Sequence, residues 1–246
     1  MFDWSKNDLI VLPITLAIII LISLLLYFLL KNKSEKVRMI PIMIITIIML
    51  ILEVIKQIRA ILTGYSTWTI PLHFCSLFLY FYPLACFTKG KIQEFGKTMS
   101  FVCSCWMTTL FYFNPGTIIG SDTTASILLD FSTFHTFIYH HLVILFLLTS
   151  LLLKNYNFKK NSLIHVVIGF SIYAVVMIPL AHILQTNFCN ILESNIAFME
   201  SLRINVGQIL YTIIMYILSI TGGLTAISVP LIITYCKTNK QKQLSA

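Results

Sequence analysis

Long apolar stretches alternate with short polar connections along this chain. Each stretch is separated from the next by charged residues or by Asn, Gly and Pro, which interrupt helices. A helix that spans a bilayer needs about 20 predominantly apolar residues. The pattern predicts helices at residues 9–30, 39–55, 70–87, 98–113, 134–153, 163–184 and 209–235. We therefore predict an all-α, polytopic membrane protein with about seven transmembrane helices.

The first and last apolar runs need separate interpretation. No small-residue cleavage site follows the first run, so we interpret it as a retained helix and not as a signal peptide. The last run contains Gly222-Gly223 and Pro230, a pattern that fits either one tilted, kinked helix or two shorter elements. Because no internal repeat or linker divides the chain, we expect one integral membrane domain over residues 1–246.

The composition supports the membrane class and excludes several others. Hydrophobic residues make up 58% of the chain, charged residues make up 11%, and mean hydropathy is +0.89. The formal charge of +8 comes from scattered short clusters without a basic stripe, so we expect no nucleic-acid partner. The six cysteines form no CxxC pair, which argues against a disulfide framework and a zinc site. We expect neither a resident metal nor a soluble cofactor.

The basic residues predict the orientation of the chain in a plasma membrane. Thirteen of the 17 Lys and Arg follow the first, third and fifth predicted helices or lie at the C-terminus: Lys31, Lys33, Lys36, Arg38, Lys89, Lys91, Lys97, Lys154, Lys159, Lys160, Lys237, Lys240 and Lys242. The other four are Lys6, Lys56, Arg59 and Arg203. Positive charge is retained on the cytoplasmic side. We therefore expect the N-terminus outside and the C-terminus in the cytoplasm.

Polar residues gather toward the predicted outer ends of the helices. Five of the six histidines fall there, and His165 falls on the inner side. An ionisable group at the centre of a spanning helix costs about 2.5 to 3.5 kcal/mol, so the position of each such residue needs an explanation. Taken singly, His182, Arg203 and Asp122 are explained by the tolerance of helix ends for polar residues. To explain why so many polar residues gather on one side, we predict a polar cavity that opens to the outer leaflet.

This cavity has candidates for both chemistry and substrate binding. Glu53 and Gln57 share a helix face because they are four residues apart. We expect the substrate-binding residues to be Gln57, Asn187, Asn190, His141, His182 and Arg203. If an oxyanion forms, then Gln57, Asn187 or His73 are the candidate donors by depth.

Cys75 is the candidate nucleophile. A thiol becomes nucleophilic when a nearby base or cation stabilises its thiolate. His73 is two residues away and points to a different side, so His140 is the better candidate for the base, and Glu53 or Asp130 could orient it. The same His73, His140 and Glu53 could form an open two-His-one-carboxylate metal site. We rank the metal lower because no HExxH spacing supports it.

Several segments together resemble a known family. They are Glu53-x-x-x-Gln57, the block Pro71-Leu72-His73-Phe74-Cys75-Ser76-Leu77, the apolar residues 134–145 around His140-x-Leu142, and Asn187-Phe188. The pattern resembles the YwaF-type bacterial membrane proteins, which share their core with an animal transmembrane lysophospholipid acyltransferase of ether lipids. The resemblance implies that Cys75 is the acyl-accepting cysteine and that His140 matches a histidine of the fifth helix. His141 stands where the family has glycine, so it is an alternative base.

The resemblance implies a membrane transacylase. It would move a fatty acyl chain from a phospholipid to a lysolipid or similar acceptor through a cysteine thioester, without a cofactor. The alternative is a transporter or ligand-binding protein that uses the same cavity without covalent chemistry. A discontinuous helix at Gly222-Gly223 would suit that alternative, whereas the lack of a clear inverted repeat counts against it. A purely structural subunit would leave the buried histidines without a role.

Overall fold

A computed structural model describes residues 5–119, 127, 129–194 and 196–244, so residues 1–4 and Asp122 lie outside the described part. The α-helices are α1 (Asp8–Leu30), α2 (Glu35–Thr63), α3 (Phe78–Phe87), α4 (Gly90–Phe113), α5 (Gly116–Ile119), α6 (Phe131–Leu152), α7 (Asn161–Leu184), α8 (Ala197–Val206) and α9 (Gln208–Leu244). Within these ranges, 3₁₀ turns lie between the helices at Thr67–Thr69, Phe74–Leu77 and Phe188–Asn190. No strand occurs in these ranges, which confirms the all-α class.

The lengths of the helices make this a multi-pass membrane protein. Among the described helices, five are long and apolar enough to span a membrane: Asp8–Leu30, Glu35–Thr63, Phe131–Leu152, Asn161–Leu184 and Gln208–Cys236. α4 has 24 residues, or about 36 Å, but it is rich in Ser and Thr and begins with Lys91, Glu94 and Lys97. α3 has 10 residues, or about 15 Å, and is too short to span. The count of seven spans is therefore not confirmed.

The predicted third helix, residues 70–87, is wrong in its first half. Proline lacks an N–H and disfavours helical geometry in the residue before it, so Pro71 interrupts the helix that the apolar run suggests. Tight turns replace it: Leu72 N donates to Ile70 O at 2.8 Å, and Ser76 N donates to His73 O at 2.9 Å. Cys75 consequently lies in a turn before α3 and not on a transmembrane helix.

The last apolar run forms one helix, which decides between the two alternatives for residues 209–235. Gly222 and Gly223 lie inside α9 and allow it to approach its neighbours. A Cβ on Gly222 would come within 2.1 Å of Trp106 on α4, and one on Gly223 within 2.7 Å of Phe170 on α7. The glycines are therefore contact points and do not mark a discontinuous helix.

α4 and α6 run through the centre of the molecule and position the other helices. Val102 and Cys103 of α4 and Val143 of α6 are completely buried. Tyr82 of α3 stacks on Phe146 of α6 with ring centroids 3.6 Å apart. These contacts hold α3, and the turn that precedes it, against α6. α1 packs on another face of α6 in a second apolar cluster and exposes most of its own surface.

Candidate functional site

A buried carboxylate organises the C-terminal part of α2. Glu53 Oε1 lies 2.8 Å from Lys56 Nζ and accepts a hydrogen bond of 2.6 Å from Gln57 Nε2. Glu53 Oε2 lies 3.9 Å from Nε2 of His135 on α6. Spacings of three and four residues put the three α2 side chains on one face of the helix. We call Glu53, Lys56, Gln57 and His135 the Glu53 cluster.

Gln57 connects the Glu53 cluster to the chain that leads to Cys75. Its Nε2 also donates to the backbone carbonyl of Thr69 at 2.9 Å, and its Oε1 accepts from the Tyr65 hydroxyl at 2.9 Å. Both ends of the amide are thus engaged within the protein. The arrangement fixes the end of α2 relative to the 3₁₀ turn Thr67–Thr69 and to the residues that follow it.

Cys75 sits in the turn Phe74–Leu77, half-buried, and is linked to the Glu53 cluster through α6. The Tyr139 hydroxyl donates to the backbone carbonyl of Cys75 at 3.3 Å. Tyr139 is one helical turn from His135, and their rings stack with centroids 5.5 Å apart. Burial raises the pKa of the Cys75 thiol, whereas the Lys56 ammonium lowers it by a smaller amount. The structure therefore brings together Glu53 and Gln57 of the predicted site, and it connects the backbone of Cys75 to them through Tyr139 and His135.

His140 and His141 lie on other faces of α6. Successive helical residues are about 100° apart, so His135 and Tyr139 nearly coincide in direction whereas His140 is turned away by about 140°. Nδ1 of His140 lies 2.6 Å from Thr136 O, and Nδ1 of His141 lies 2.7 Å from Phe137 O. A carbonyl only accepts, so each Nδ1 carries the proton.

The partners of these two histidines come from α1 and α4. Thr15 Oγ1 of α1 lies 2.9 Å from His141 Nε2, and both imidazole rings pack against Phe111 of α4. Glu53 Oε2 approaches His135 to 3.9 Å without a hydrogen bond. Among the residues that the structure describes, no hydrogen bond, ion pair or ring contact joins His140 to Glu53 or Cys75. The expected pairing of Glu53 with His140 is thus replaced by one with His135.

His73 has its contacts with Trp68 and Phe188. Its Nε2 donates to the Trp68 carbonyl at 3.0 Å, and its ring packs on Trp68 and Phe188 with centroids 4.3 Å and 5.1 Å away. Burial lowers the pKa of His73 below its usual value. The imidazole therefore holds the turns around it together as a neutral group.

Asn187 and Asn190 shape the connection between α7 and α8. Oδ1 of Asn187 accepts from Leu192 N at 2.9 Å, and its Nδ2 donates to Glu193 O at 3.0 Å. Asn190 has a positive φ of 56°, and its carbonyl accepts from the Tyr211 hydroxyl at 3.0 Å. Both residues lie in the connection that includes Cys189, whose thiol reaches the Leu72 carbonyl just before the turn that contains Cys75.

The remaining predicted polar residues have local partners. His182 is exposed in the last turn of α7. Arg203 Nε donates to Glu200 Oε2 at 2.9 Å, and this pair lowers the pKa of Glu200 to about 2. Asp130 caps α6 by accepting from Thr133 N at 2.8 Å, a bond that lowers the pKa of Asp130. Asp130 therefore begins α6, and its carboxylate is directed to Thr133.

The predicted polar cavity around Glu53 is not confirmed. A cavity of about 60 Å³ lies close by, between α7 and α9, but its walls are mainly apolar and include Phe74 and Cys189. In the described part of the chain, no group of three or more His, Cys, Asp and Glu side chains could hold a metal ion. His73, His140 and Glu53 accordingly do not form the two-His-one-carboxylate arrangement.

Sequence reasoning counted His135 among the outer histidines and placed Lys56 beside Glu53, but it gave neither residue a role, and it missed Tyr139. A signal for them was available. Glu53 and Lys56 have the i, i+3 spacing of an ion pair, and His135 and Tyr139 have the i, i+4 spacing of one helix face. The spacing does not show how α6 is rotated relative to α2. That rotation decides which histidine faces the Glu53 carboxylate.

Comparisons with known proteins give one family. A model of the TMEM164 family matches residues 1–226 of the chain. No curated protein and no solved structure matches the chain significantly.

Proposed function

This chain belongs to the TMEM164 family, and from that premise we propose that it is a membrane transacylase. It moves a fatty acyl chain from a phospholipid to a lysolipid or similar acceptor through a thioester on Cys75. The observation that carries the proposal is the position of Cys75 in a turn next to the Glu53 cluster. The resemblance of the block at residues 71–77 to a lysophospholipid acyltransferase supports it.

The first half-reaction loads the thiol. The Cys75 sulfur attacks the ester carbonyl of the phospholipid as the thiol proton leaves, and a C–S bond forms. When the tetrahedral intermediate collapses, the C–O bond to glycerol breaks, and the lysolipid leaves as an alcohol after it takes up a proton. Burial raises the pKa of the Cys75 thiol, and the Lys56 ammonium partly offsets this effect. We therefore assign to Lys56 the stabilisation of the thiolate and of the oxyanion that develops.

The second half-reaction returns the enzyme to its starting state. The hydroxyl of the acceptor lysolipid loses its proton and attacks the thioester carbonyl, a C–O bond forms, and the C–S bond breaks. The thiol regains a proton. No electrons are gained or lost and no energy source is consumed, because one ester is exchanged for another. The reaction therefore needs no soluble cofactor.

His135 is the proton acceptor in this proposal. In the described part of the structure, its Nε2 is buried without a hydrogen-bond partner and faces the Glu53 carboxylate. A carboxylate at this position orients an imidazole and stabilises its protonated form. Lys56 and Gln57 hold that carboxylate from its other oxygen. His140, the base that the resemblance implies, has its contacts on another face of α6.

The orientation of the site follows from the distribution of charge. With 13 of the 17 Lys and Arg on the opposite side, the Glu53 cluster and Cys75 face the outer leaflet of the plasma membrane. The donor and acceptor lipids then come from that leaflet. The N-terminus lies outside and the C-terminus lies in the cytoplasm.

The experiment that tests the proposal measures an acyl adduct and acyl transfer. Purified protein in vesicles that contain phospholipid and lysolipid should show a hydroxylamine-sensitive mass adduct on Cys75 and should exchange acyl chains. Cys75→Ala should abolish both. Cys75→Ser should reduce transfer by orders of magnitude, because a hydroxyl ionises far less readily than a thiol of pKa about 8.5.

Two other cysteines provide the controls. Cys103 and Cys105 lie on α4, and their replacement by Ala should cost packing but leave the adduct on Cys75 in place. Transfer at the wild-type rate by the Cys75→Ala protein would disprove the nucleophile assignment. The non-enzymatic reading, a transporter or ligand-binding protein, would then be the better one.

A further inference from the structure

An apolar cleft runs between α7 and α9 and reaches the turn that contains Cys75. On α7 it is lined by Phe170, Ala174 and Met177, which are spaced by four and three residues and so share one face. On α9 it is lined by Met215 and Ser219, which are also four residues apart. The lining extends along α7 from residue 170 to 178, a length of about 12 Å.

The two ends of the cleft differ in chemistry. Its inner end is closed where α9 meets α7, since a Cβ on Gly223 would come within 2.7 Å of Phe170. Its outer end is polar. There the Tyr173 hydroxyl lies 2.6 Å from the Cys189 sulfur and also donates to the carbonyl of Leu72. The Cys189 thiol also donates to the Leu72 carbonyl, with the sulfur and oxygen 3.9 Å apart.

The sides of the cleft border the lipid. Ala174, Met215 and Ser219 are half-buried, and the residues next to them on both helices are exposed apolar side chains, such as Val175 at 74%. α7 and α9 are among the spanning helices, so this surface lies within the hydrocarbon region. A molecule can therefore enter the cleft sideways from the membrane without crossing water.

We propose that the α7–α9 cleft binds one acyl chain of a membrane phospholipid and presents its ester end beside Phe74, the neighbour of Cys75. The inference rests on the proposed transacylase function, because it assigns the chain-binding part of that same site. The cavity of about 60 Å³ takes only a short part of a hydrocarbon chain, and the rest of the chain lies along the lipid-facing side of the cleft. A packed helix does not fit, because it needs an interaxial distance of about 8 to 10 Å. Met177 and Met215 provide flexible walls that adapt to a chain.

The position of the cleft in the membrane explains the direction of binding. The ester groups of a phospholipid lie at the membrane interface, and its chains extend toward the middle of the bilayer. At the outer end of the cleft, Tyr173 and Cys189 hold the Leu72 carbonyl and so fix the turn that brings Phe74 to the cleft. The ester therefore lies at the outer end and the methyl terminus points toward Gly223.

Photo-crosslinking tests the cleft directly. The probe is a phosphatidylcholine with a diazirine midway along one acyl chain, placed in vesicles with the full-length protein. Crosslinked peptides should map to the cleft faces of α7 and α9. Ala174→Phe fills the cleft and should reduce these crosslinks by at least about tenfold, the loss expected when about two buried methylenes are displaced. Val175→Phe adds the same ring on the exposed side and should change little.

A second protein separates this inference from the proposed function. Cys75→Ala cannot form the thioester, but it should give the same crosslinks in α7 and α9. If wild-type protein forms the adduct on Cys75 while the crosslinks fall elsewhere, the cleft is wrong and the transacylase proposal survives. If Cys75→Ala crosslinks in the cleft and wild-type protein forms no adduct, the cleft assignment survives and the transacylase proposal is wrong. Equal loss in Ala174→Phe and Val175→Phe would also overturn the cleft assignment.

Discussion

Two faces of α6 carry histidines but provide them with different surroundings. On one face, His135 and Tyr139 meet the Glu53 carboxylate and the backbone of Cys75. On the other faces, His140 and His141 bond to carbonyls of their own helix and pack against Phe111, and His141 also meets Thr15 of α1. All three imidazoles are buried.

The difference shows that burial does not identify a catalytic histidine. A proton acceptor needs a free nitrogen lone pair within reach of the reacting group and a partner that stabilises its charged form. His135 has a carboxylate for that purpose, whereas Nε2 of His141 is engaged by a hydroxyl that connects two helices. The first face is suited to chemistry, and the second is suited to assembly of the bundle.

The largest expected effect compares the histidines directly. His135→Ala should reduce acyl loading of Cys75 by at least about 100-fold, since general base catalysis contributes about 10² to 10⁴. His140→Ala should change it by no more than a few fold, because that ring contacts Phe111 and not the Glu53 cluster. Mass spectrometry of the adduct in samples quenched at successive times provides both rates. A larger loss in His140→Ala than in His135→Ala would reverse the assignment of the two faces.

A double-mutant cycle should sharpen the comparison. Glu53→Gln combined with His135→Ala should be no more harmful to acyl transfer than the worse single change, because groups that act as a unit are not additive. Glu53→Gln combined with His140→Ala should give losses that multiply, to within about 0.5 kcal/mol. Initial rates of transfer in vesicles measure both cycles. Coupling in the second pair and independence in the first would show that Glu53 serves His140.

The smallest expected effect concerns the assembly face. Thr15→Val removes the hydroxyl that lies beside His141 and should lower stability by about 0.6 kcal/mol, the average for hydrogen bonds between helices in membranes. Acyl transfer should stay unchanged. Thr109→Val is the matched control, because the Thr109 hydroxyl is exposed and bonds within its own helix at Cys105 O. The midpoint of unfolding in detergent measures the loss of stability. A loss of acyl transfer in Thr15→Val with unchanged stability would contradict the assignment of His141 to helix assembly.

Local properties of the sequence were sufficient for the class and for part of the site. Apolar runs predict membrane helices because the cost of exposing polar groups to lipid acts on each segment by itself. The pairing of Glu53 with Gln57 was predictable for the same reason, since both side chains belong to one helix face. The mistaken start of the third helix was also local in origin, because Pro71 outweighs the apolar run around it.

The choice of partners between helices was decided by the tertiary structure alone. Which histidine meets Glu53 depends on the rotation of α6 about its axis, and that rotation is set by packing between distant residues such as Tyr82 and Phe146. Likewise, Gly222-Gly223 reads in the sequence as a break but serves as the contact of α9 with Trp106 and Phe170. Helix periodicity establishes which residues share a face, but only interhelical packing determines what that face meets.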